Sequence, residues 1–268
     1  YEGYGGWSAN GNATHNTITL NGVNPAMLGL AYLSGGRSGN PGADVTTGNT
    51  LQIKNKNNAT WAISNFEKMK FVLDSNIASG DTMFSVNSDS SWNWGAGTRP
   101  QTFDWSNIAV ENAATWGTGA GVSKRVILYT GPALTLQHYN PSNTMHTNGD
   151  FEYGLNTDTT TPTASTVTAT QIYFDRNRFK NGQETITATG LGTRYAGTST
   201  LGNTTTKNKL TLSGAFRWDG DVIGGYTQSQ TGDATRNEVI LENGAYLGNN
   251  YEGYGGWSAN GNATHNTI

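Results

Sequence analysis

Residues 208–212 read Asn-Lys-Leu-Thr-Leu, and the same order of Asn, variable, apolar, variable, apolar returns at 237–241, 16–20 and 49–53. Side chains alternate along a β-strand, so the two apolar residues of each segment share one face. Parallel stacking of such segments would place these apolar side chains in one dry column. The residues predicted to point inward are Ile18, Leu20, Leu51, Ile53, Leu210, Leu212, Val239 and Leu241.

The Asn that opens each segment is a second recurring feature. An Asn repeated at one corner of a stack can bond the Asn above and below it, as stacked amide ladders do. A Gly-Gly pair precedes three of the segments, at 224–225, 5–6 and 35–36, and is predicted to supply the positive φ of a sharp corner. We therefore predict a structural amide ladder formed by Asn16, Asn49, Asn208 and Asn237.

A much longer repeat contains this pattern. Residues 251–268 are identical to residues 1–18 (YEGYGGWSANGNATHNTI), so the repeating unit is 250 residues long. The predicted organisation is one unit at 1–250 followed by the start of an identical unit at 251–268, and we expect an excerpt from a longer tandem array. Along that array Asn266 takes the place of Asn16, and the Asn segments are 29, 29 and 33 residues apart.

These spacings predict an all-β fold, a parallel β-solenoid with coils of about 30 residues and inserted loops. Propeller blades usually need about 40–50 residues, which favours the solenoid. With coils ~4.8 Å apart, roughly 8–9 coils would advance each unit by about 40 Å along the solenoid axis.

Composition limits the classes of function. Charged residues are 13% of the chain and the net charge is −3, which leaves no basic surface for nucleic acid. The chain contains no cysteine, which excludes disulfides, thiolate metal sites and cysteine nucleophiles. No run of 18 apolar residues occurs, so we expect no membrane contact from this segment, and no cofactor is expected.

Four tryptophans form the candidate glycan-binding surface. Trp92 and Trp94 are two residues apart, so on a strand they share a face and could stack on sugar rings. Trp105 and Trp116 complete this aromatic-rich part of the unit. The alternative is that these rings pack in the core or under a loop.

Asp219 and Asp221 form the candidate ion site. Clustered acids serve in β-helix glycan hydrolases and lyases, and they can hold Ca²⁺. The alternative is a turn that precedes the Gly-Gly corner. The distinct histidines, His15, His138 and His146, belong to no Asp-His-Ser grouping, so we expect no catalytic or metal role and no enzyme activity.

The corner sequences resemble those of a known family. Residues 221–227 read Asp-Val-Ile-Gly-Gly-Tyr-Thr, residues 232–239 read Gly-Asp-Ala-Thr-Arg-Asn-Glu-Val, and residues 11–18 match the second pattern. Residues 63–69 and 77–83, Ile-Ser-Asn-Phe-Glu-Lys-Met and Ile-Ala-Ser-Gly-Asp-Thr-Met, follow the same order as in that family. Together they resemble the passenger repeats of bacterial autotransporter (type V secreted) adhesins. The resemblance covers roughly 1–90 and 205–268, and 91–200 departs from it.

The resemblance implies a right-handed parallel β-helix on the outer surface of a diderm bacterium, a role in adhesion or aggregation, and no catalytic residue. The expected function is thus a structural repeat of a long extracellular fibre. Its expected partners are neighbouring repeat units of the same chain and host or bacterial surface glycans or proteins. A β-helix polysaccharide lyase or hydrolase and a phage receptor-binding spike are the alternatives. The array favours the fibre, because enzymes rarely need catalytic domains repeated end to end.

Overall fold

A computed structural model describes residues 2–22, 31–87, 102–116, 123–159, 165–200, 202–228 and 232–268. The chain divides into two compact units. Unit 1 comprises Tyr1–Thr118, Arg125–Thr144 and Leu155–Phe174, and unit 2 comprises Gly119–Lys124, Met145–Gly154 and Asp175–Ile268. Within the described ranges, no helix is long and apolar enough to cross a membrane.

The first two coils of unit 1 share one plan. A short strand leads to the Gly-Gly corner, a two-residue strand leaves it, and a polar arm leads to the Asn-x-apolar strand. The strands are β1 (Glu2–Tyr4), β2 (Trp7–Ser8) and β3 (Thr17–Asn21), then β4 (Tyr32–Ser34), β5 (Arg37–Ser38) and β6 (Thr50–Lys54). Each strand pairs in parallel with its counterpart: Glu2 faces Tyr32, Trp7 faces Arg37, and Thr17 faces Thr50.

The third coil is shorter, because it lacks the polar arm. Its strands are β7 (Asn58–Thr60), β8 (Ala62–Ser64) and β9 (Lys68–Val72). Here β8 pairs with β4 and β9 pairs with β6, so Thr50 faces Lys68 after a much shorter stretch of chain. Asn65 turns this shortened corner with a φ of 54°.

The next strands are spaced less regularly. They are β10 (Thr82–Val86), β11 (Thr102–Asp104), β12 (Ile108–Glu111), β13 (Ser123–Gln137), β14 (His146–Asn148), β15 (Phe151–Thr157) and β16 (Thr166–Arg178), with 3-10 turns at Trp105–Asn107 and Pro141–Thr144. In unit 1, β10 pairs in parallel with β7 and β13, and β12 pairs in parallel with β9. In unit 2, β14 pairs antiparallel with the start of β15, where Asn148 faces Phe151.

Unit 2 continues with regular coils of four strands each. The strands are β17 (Gln183–Ile186), β18 (Gly190–Leu191), β19 (Arg194–Ser199) and β20 (Thr205–Thr206), then β21 (Lys209–Ser213), β22 (Arg217–Asp219), β23 (Val222–Thr227) and β24 (Ala234–Thr235), then β25 (Glu238–Glu242), β26 (Tyr246–Leu247), β27 (Gly253–Ser258) and β28 (Ala263–Thr264). Four parallel sheets result, one from each strand position. Lys209 faces Glu238 and Ala234 faces Ala263. Facing residues in these two sheets are therefore separated by the same number of residues in the sequence.

The core of unit 2 is the dry column that strand alternation predicts. Leu210, Leu212 and Val239 are fully buried, together with Ala196 and Val222. Burying a side chain of this size contributes about 1.5–3 kcal/mol, so successive coils stabilise one another through this column. The prediction of an all-β parallel β-solenoid with coils of about 30 residues is confirmed.

Candidate functional site

An amide ladder runs through one corner of unit 2. Asn237 Oδ1 accepts hydrogen bonds from the backbone N and the Nδ2 of Asn208, at 3.1 and 2.9 Å. One coil later, Asn266 Oδ1 accepts the same two bonds from Asn237, at 2.9 and 3.2 Å. Asn208 and Asn237 are each 1% exposed, so these bonds are made away from water, where an unmade bond is costly.

Unit 1 contains the same bonding step. Asn49 Oδ1 accepts from the backbone N and the Nδ2 of Asn16, at 2.8 and 3.1 Å. The Nδ2 of Asn49 donates to the carbonyls of Ala13 and Val45, at 3.0 and 2.6 Å. The step is the same although the coil from Asn16 to Asn49 is longer than the coil from Asn208 to Asn237.

The duplicated 18-residue segment supplies both halves of this step. Asn16 and Asn266 occupy the same position of the identical sequence. As Asn266 this residue accepts from the preceding coil, and as Asn16 it donates to the following coil. The same 18-residue sequence can therefore pair with a preceding coil along one strand edge and with a following coil along the other.

The Gly-Gly corners differ from the prediction. All six glycines, at 5–6, 35–36 and 224–225, have φ outside the positive region. Glycine is needed here because a side chain would not fit. A Cβ on Gly6 would lie 2.5 Å from Nδ2 of Asn16, and a Cβ on Gly225 would overlap the side chain of Asn237. The second glycine of the pair thus makes room for the ladder amide.

The positive φ lies instead on the residue just before each ladder Asn. Every such residue, glycine or not, adopts the left-handed conformation, which costs a non-glycine residue about 1–2 kcal/mol. They are His15 (58°), Gly48 (69°), Lys207 (56°), Arg236 (55°) and His265 (56°). No sequence signal identified this position, because its side chain varies.

The residues predicted to point inward fall into two groups. Leu51, Ile53, Leu210, Leu212 and Val239 are 0% exposed, and Leu20 is 4% exposed. Ile18 and Leu241 are half-buried. Among the strands that the structure describes, β3 pairs with β6 alone. Leu241 would pair with the copy of Leu20, and residues 251–268 match only residues 1–18.

The candidate glycan-binding tryptophans are not available as a surface where the structure describes them. Trp105 is 1% exposed and packs edge-on against Tyr139. Trp116 is 5% exposed, packs against Phe174 and donates its indole N–H to the Ile77 carbonyl at 2.8 Å. The burial of both rings agrees with the alternative, that they pack in the core or under a loop. Trp92 and Trp94 lie outside the described residues.

Asp219 and Asp221 make the contacts of a corner. Asp219 Oδ1 accepts from Nε of Arg217 at 2.6 Å, and Asp221 Oδ1 accepts from the backbone N of Glu252 at 3.0 Å. Across the described ranges, no group of three or more His, Asp or Glu side chains is arranged to hold a metal ion. Of the two alternatives for this pair, the turn agrees with these bonds.

A column of aromatic rings crosses the three regular coils of unit 2. The ring centroids of Tyr195 and Tyr226 are 4.8 Å apart and their planes are tilted by 37°, whereas Trp257 stacks on Tyr226 at the same distance with the planes 14° apart. Trp257 is the copy of Trp7, which is 65% exposed in the first coil of unit 1. Stacked rings cover one another's faces, so this column stabilises the coils.

A buried carboxylate, unpredicted from the sequence, anchors the hairpin of unit 2. Glu152 is 0% exposed and accepts four hydrogen bonds. They come from Asn177 Nδ2 (3.1 Å), Ser199 Oγ (2.8 Å), Thr200 N (2.9 Å) and Asn203 Nδ2 (2.7 Å). The pattern Phe151-Glu152-Tyr153 suggests the opposite orientation, with the aromatic rings inside and the carboxylate in water.

His138 has a carboxylate partner. Its Nδ1 lies 2.7 Å from Oδ2 of Asp104. The hydroxyl and amide of Ser106 and this imidazole lower the pKa of Asp104 to about 2. Ser106 donates its hydroxyl to Asp104 and not to His138, so these three residues lack the serine-to-histidine hydrogen bond of a catalytic triad. Comparison with protein-family models, curated proteins and solved structures finds no match to the chain.

Proposed function

We propose that the chain is a structural repeat of a long bacterial cell-surface fibre that mediates adhesion or aggregation. The observation that carries the proposal is the two-sided use of the duplicated segment. Residues 251–268 pair in parallel with the coil before them, and the identical residues 1–18 pair in parallel with the coil after them.

A tandem array would satisfy both edges of this segment at once. Glu238 faces Thr267, the copy of Thr17, which gives the register Asn237 on Asn16, Val239 on Ile18 and Leu241 on Leu20 across the junction. Open strand edges are prone to unwanted pairing, and continuation of the coil would cover them. The apolar column of unit 2 would then continue across the junction into the next copy of residues 16–20.

Repetition of a unit is suited to adhesion rather than to catalysis. Identical surfaces recurring along one fibre can bind a densely covered surface with avidity far above that of each single contact. The resemblance to autotransporter passengers supports a location on the outer surface of a diderm bacterium, with export by that route.

A display experiment tests this function. Bacteria would present one, two or four tandem units through the same anchor, and surface exposure would be checked with antibody on intact cells. We expect adhesion or cell–cell aggregation to rise more than linearly with unit number, and filaments to show an axial repeat of about 40 Å per unit. Equal adhesion at every unit number, with globular beads on flexible linkers, would contradict the proposal.

The corner carboxylates allow a test against the lyase or hydrolase alternative. Incubation with acidic and neutral glycans should release no new reducing or unsaturated ends. Reproducible cleavage that disappears in Asp219→Asn or Asp221→Asn, but persists in the exposed control Glu242→Gln, would establish an enzyme instead.

A further inference from the structure

The outer face of the sheet β3-β6-β9-β12 in unit 1 carries a polar groove of about 410 Å³. Strand alternation creates it: Leu51 and Ile53 point into the core, and the intervening Gln52 points outward. Lys68 and Lys70 do the same on β9, around the buried Met69. The 3-10 turn before β12 contributes Ser106 and Asn107 to the lining.

The groove is rich in hydrogen-bond donors and has no carboxylate in its lining. Lys68 and Lys70 supply two ammonium groups, and the amides of Gln52 and Asn107 add further donors. The Thr50 hydroxyl donates to the Gly48 carbonyl at 3.3 Å and keeps its oxygen as an acceptor. Neutral sugar hydroxyls need paired donors and acceptors, whereas the two ammonium groups need anionic partners.

The neighbouring acids engage one of the two ammonium groups of the groove and leave the other available. Glu111 lies 2.5 Å from Nζ of Lys70, at the exposed edge of the groove. Asp104 is engaged by the hydroxyl of Ser106 at 2.6 Å and by the imidazole of His138. In the part of the chain that the structure describes, no carboxylate lies within ion-pair distance of Lys68, which is exposed.

We propose that this groove binds an anionic carbohydrate, a sugar chain bearing carboxylate or sulfate groups. Its volume lies in the range of about 300–1,000 Å³ that small-molecule sites occupy. Lys68 and Lys70 contact the anionic groups, and Thr50, Gln52 and Asn107 contact the hydroxyls. Glu111 competes with the ligand for Lys70.

The inference names a ligand class for the adhesive role proposed above and rests on that role for its biological meaning. In a tandem array, each 250-residue sequence repeat would present one groove. The lining residues all belong to unit 1, so binding can be measured on a single chain. A negative binding result would therefore not contradict the proposed tandem array. A negative result for the array would likewise not contradict ligand binding by the groove.

Calorimetric titration of the full chain tests the proposal. The probes are an oligogalacturonate (carboxylate), a heparin-derived oligosaccharide (sulfate) and a neutral dextran oligosaccharide. We expect at least one anionic probe to bind and dextran to bind at least roughly tenfold more weakly, because hydrogen bonds between ammonium and anionic groups are stronger than those to neutral hydroxyls. Which anionic probe binds more tightly identifies the anionic group.

Three variants separate this groove from general surface charge. Lys68→Gln with Lys70→Gln should weaken binding roughly tenfold or more, and Glu111→Gln should strengthen it by freeing Lys70. Lys54→Gln is the matched control, because Lys54 lies on β6 two residues beyond Gln52, outside the groove lining. Thermal unfolding midpoints should be the same for all variants, since the changed side chains are exposed or half-buried.

Several outcomes would overturn the inference. They are absence of binding to both anionic probes, equal binding of dextran, equal loss in the Lys54 variant, or weaker binding after Glu111→Gln. Tighter binding of a single-stranded oligonucleotide than of either anionic sugar would also overturn it. If the double lysine variant fails to fold, Thr50→Val takes its place, and unchanged affinity in that variant contradicts the predicted hydroxyl contact.

Discussion

Unit 2 and the first part of unit 1 build the same corner on coils of different length. In unit 2, the ladder residues Asn208 and Asn237 are separated by 29 residues. In unit 1, Asn16 and Asn49 are separated by 33 residues, and the coil from Thr50 to its partner Lys68 is far shorter than either. In all three cases, the apolar residues of one strand face the apolar residues of the next.

The comparison separates the parts of a coil that are constrained from those that are free. The apolar column is intact on both sides of the shortened coil, where Leu51, Ile53, Met69 and Phe71 are all 0% exposed. The polar arm between the Gly-Gly corner and the ladder Asn lies outside this column. It can therefore lengthen or disappear without changing the core.

The largest predicted effect is at Glu152, in the irregular part of unit 2. Glu152→Ala removes a fully buried carboxylate that accepts four hydrogen bonds, and we expect it to lower the free energy of unfolding by about 3–5 kcal/mol. Chemical denaturation measures the change. Glu242→Ala, at an exposed position of β25, is the control and should change stability by less than about 0.5 kcal/mol. Similar values for the two variants would show that the buried carboxylate is not an anchor.

The ladder amides should rank next, and their two locations should differ. Asn237→Ala removes the acceptor of two bonds from Asn208 in a fully buried corner and should cost about 2–3 kcal/mol. Asn16→Ala, in a half-buried end coil, should cost about 1 kcal/mol. Denaturation of each single variant gives both values. A larger loss at Asn16 than at Asn237 would contradict the burial argument.

The pairing of glycine and amide can be tested with a double-mutant cycle. Gly225→Ala places a Cβ into the side chain of Asn237 and should cost about 1–3 kcal/mol. In the Asn237→Ala background the same change should cost much less, because the overlapping amide is gone. Gly42→Ala is the control, since its Cβ would meet only Asn40 at 3.6 Å. Additive effects of the two substitutions would rule out steric coupling.

The smallest predicted effect is a gain in stability. Arg236→Gly relieves a non-glycine residue held at a φ of 55°, and we expect a stabilisation of up to about 1 kcal/mol. The nearby strand residue Thr235 has no positive φ, so Thr235→Gly should destabilise by about 0.5–1 kcal/mol. Thermal unfolding distinguishes the two signs. Destabilisation by both glycines would mean that the conformation at 236 carries no strain.

The solenoid was predictable because its residues repeat at fixed offsets. The spacing of the Asn-x-apolar segments at 208 and 237 gives the coil length, and their alternation gives the side chains that point inward. The structure places Leu210 and Val239 in register. The Asn ladder follows from the same alignment. The missing arm of the third coil was not predictable, since Asn65 lies in a segment without the Gly-Gly pair that marks the other corners.

The candidate sites were harder to predict, because they depend on which face of an irregular strand is covered. Trp105 was a surface candidate because it lies in the aromatic-rich part of the repeat, yet it packs against Tyr139 in the core. Glu152 reads as a surface acid, yet its donors come from residues up to 51 positions away. The pairing of β9 with β12 brings the groove residues Lys68 and Ser106 together. No local sequence pattern predicts this pairing.

Hydrogen exchange on a protein of two consecutive 250-residue units tests the continuity of the solenoid most directly. At the junction, the second copy of residues 16–20 should be as strongly protected as residues 208–212, because coils would cover both of its edges. The first copy, with one covered edge, should exchange faster. Equally fast exchange in both copies would show that the column breaks at residue 250, which would contradict a continuous fibre.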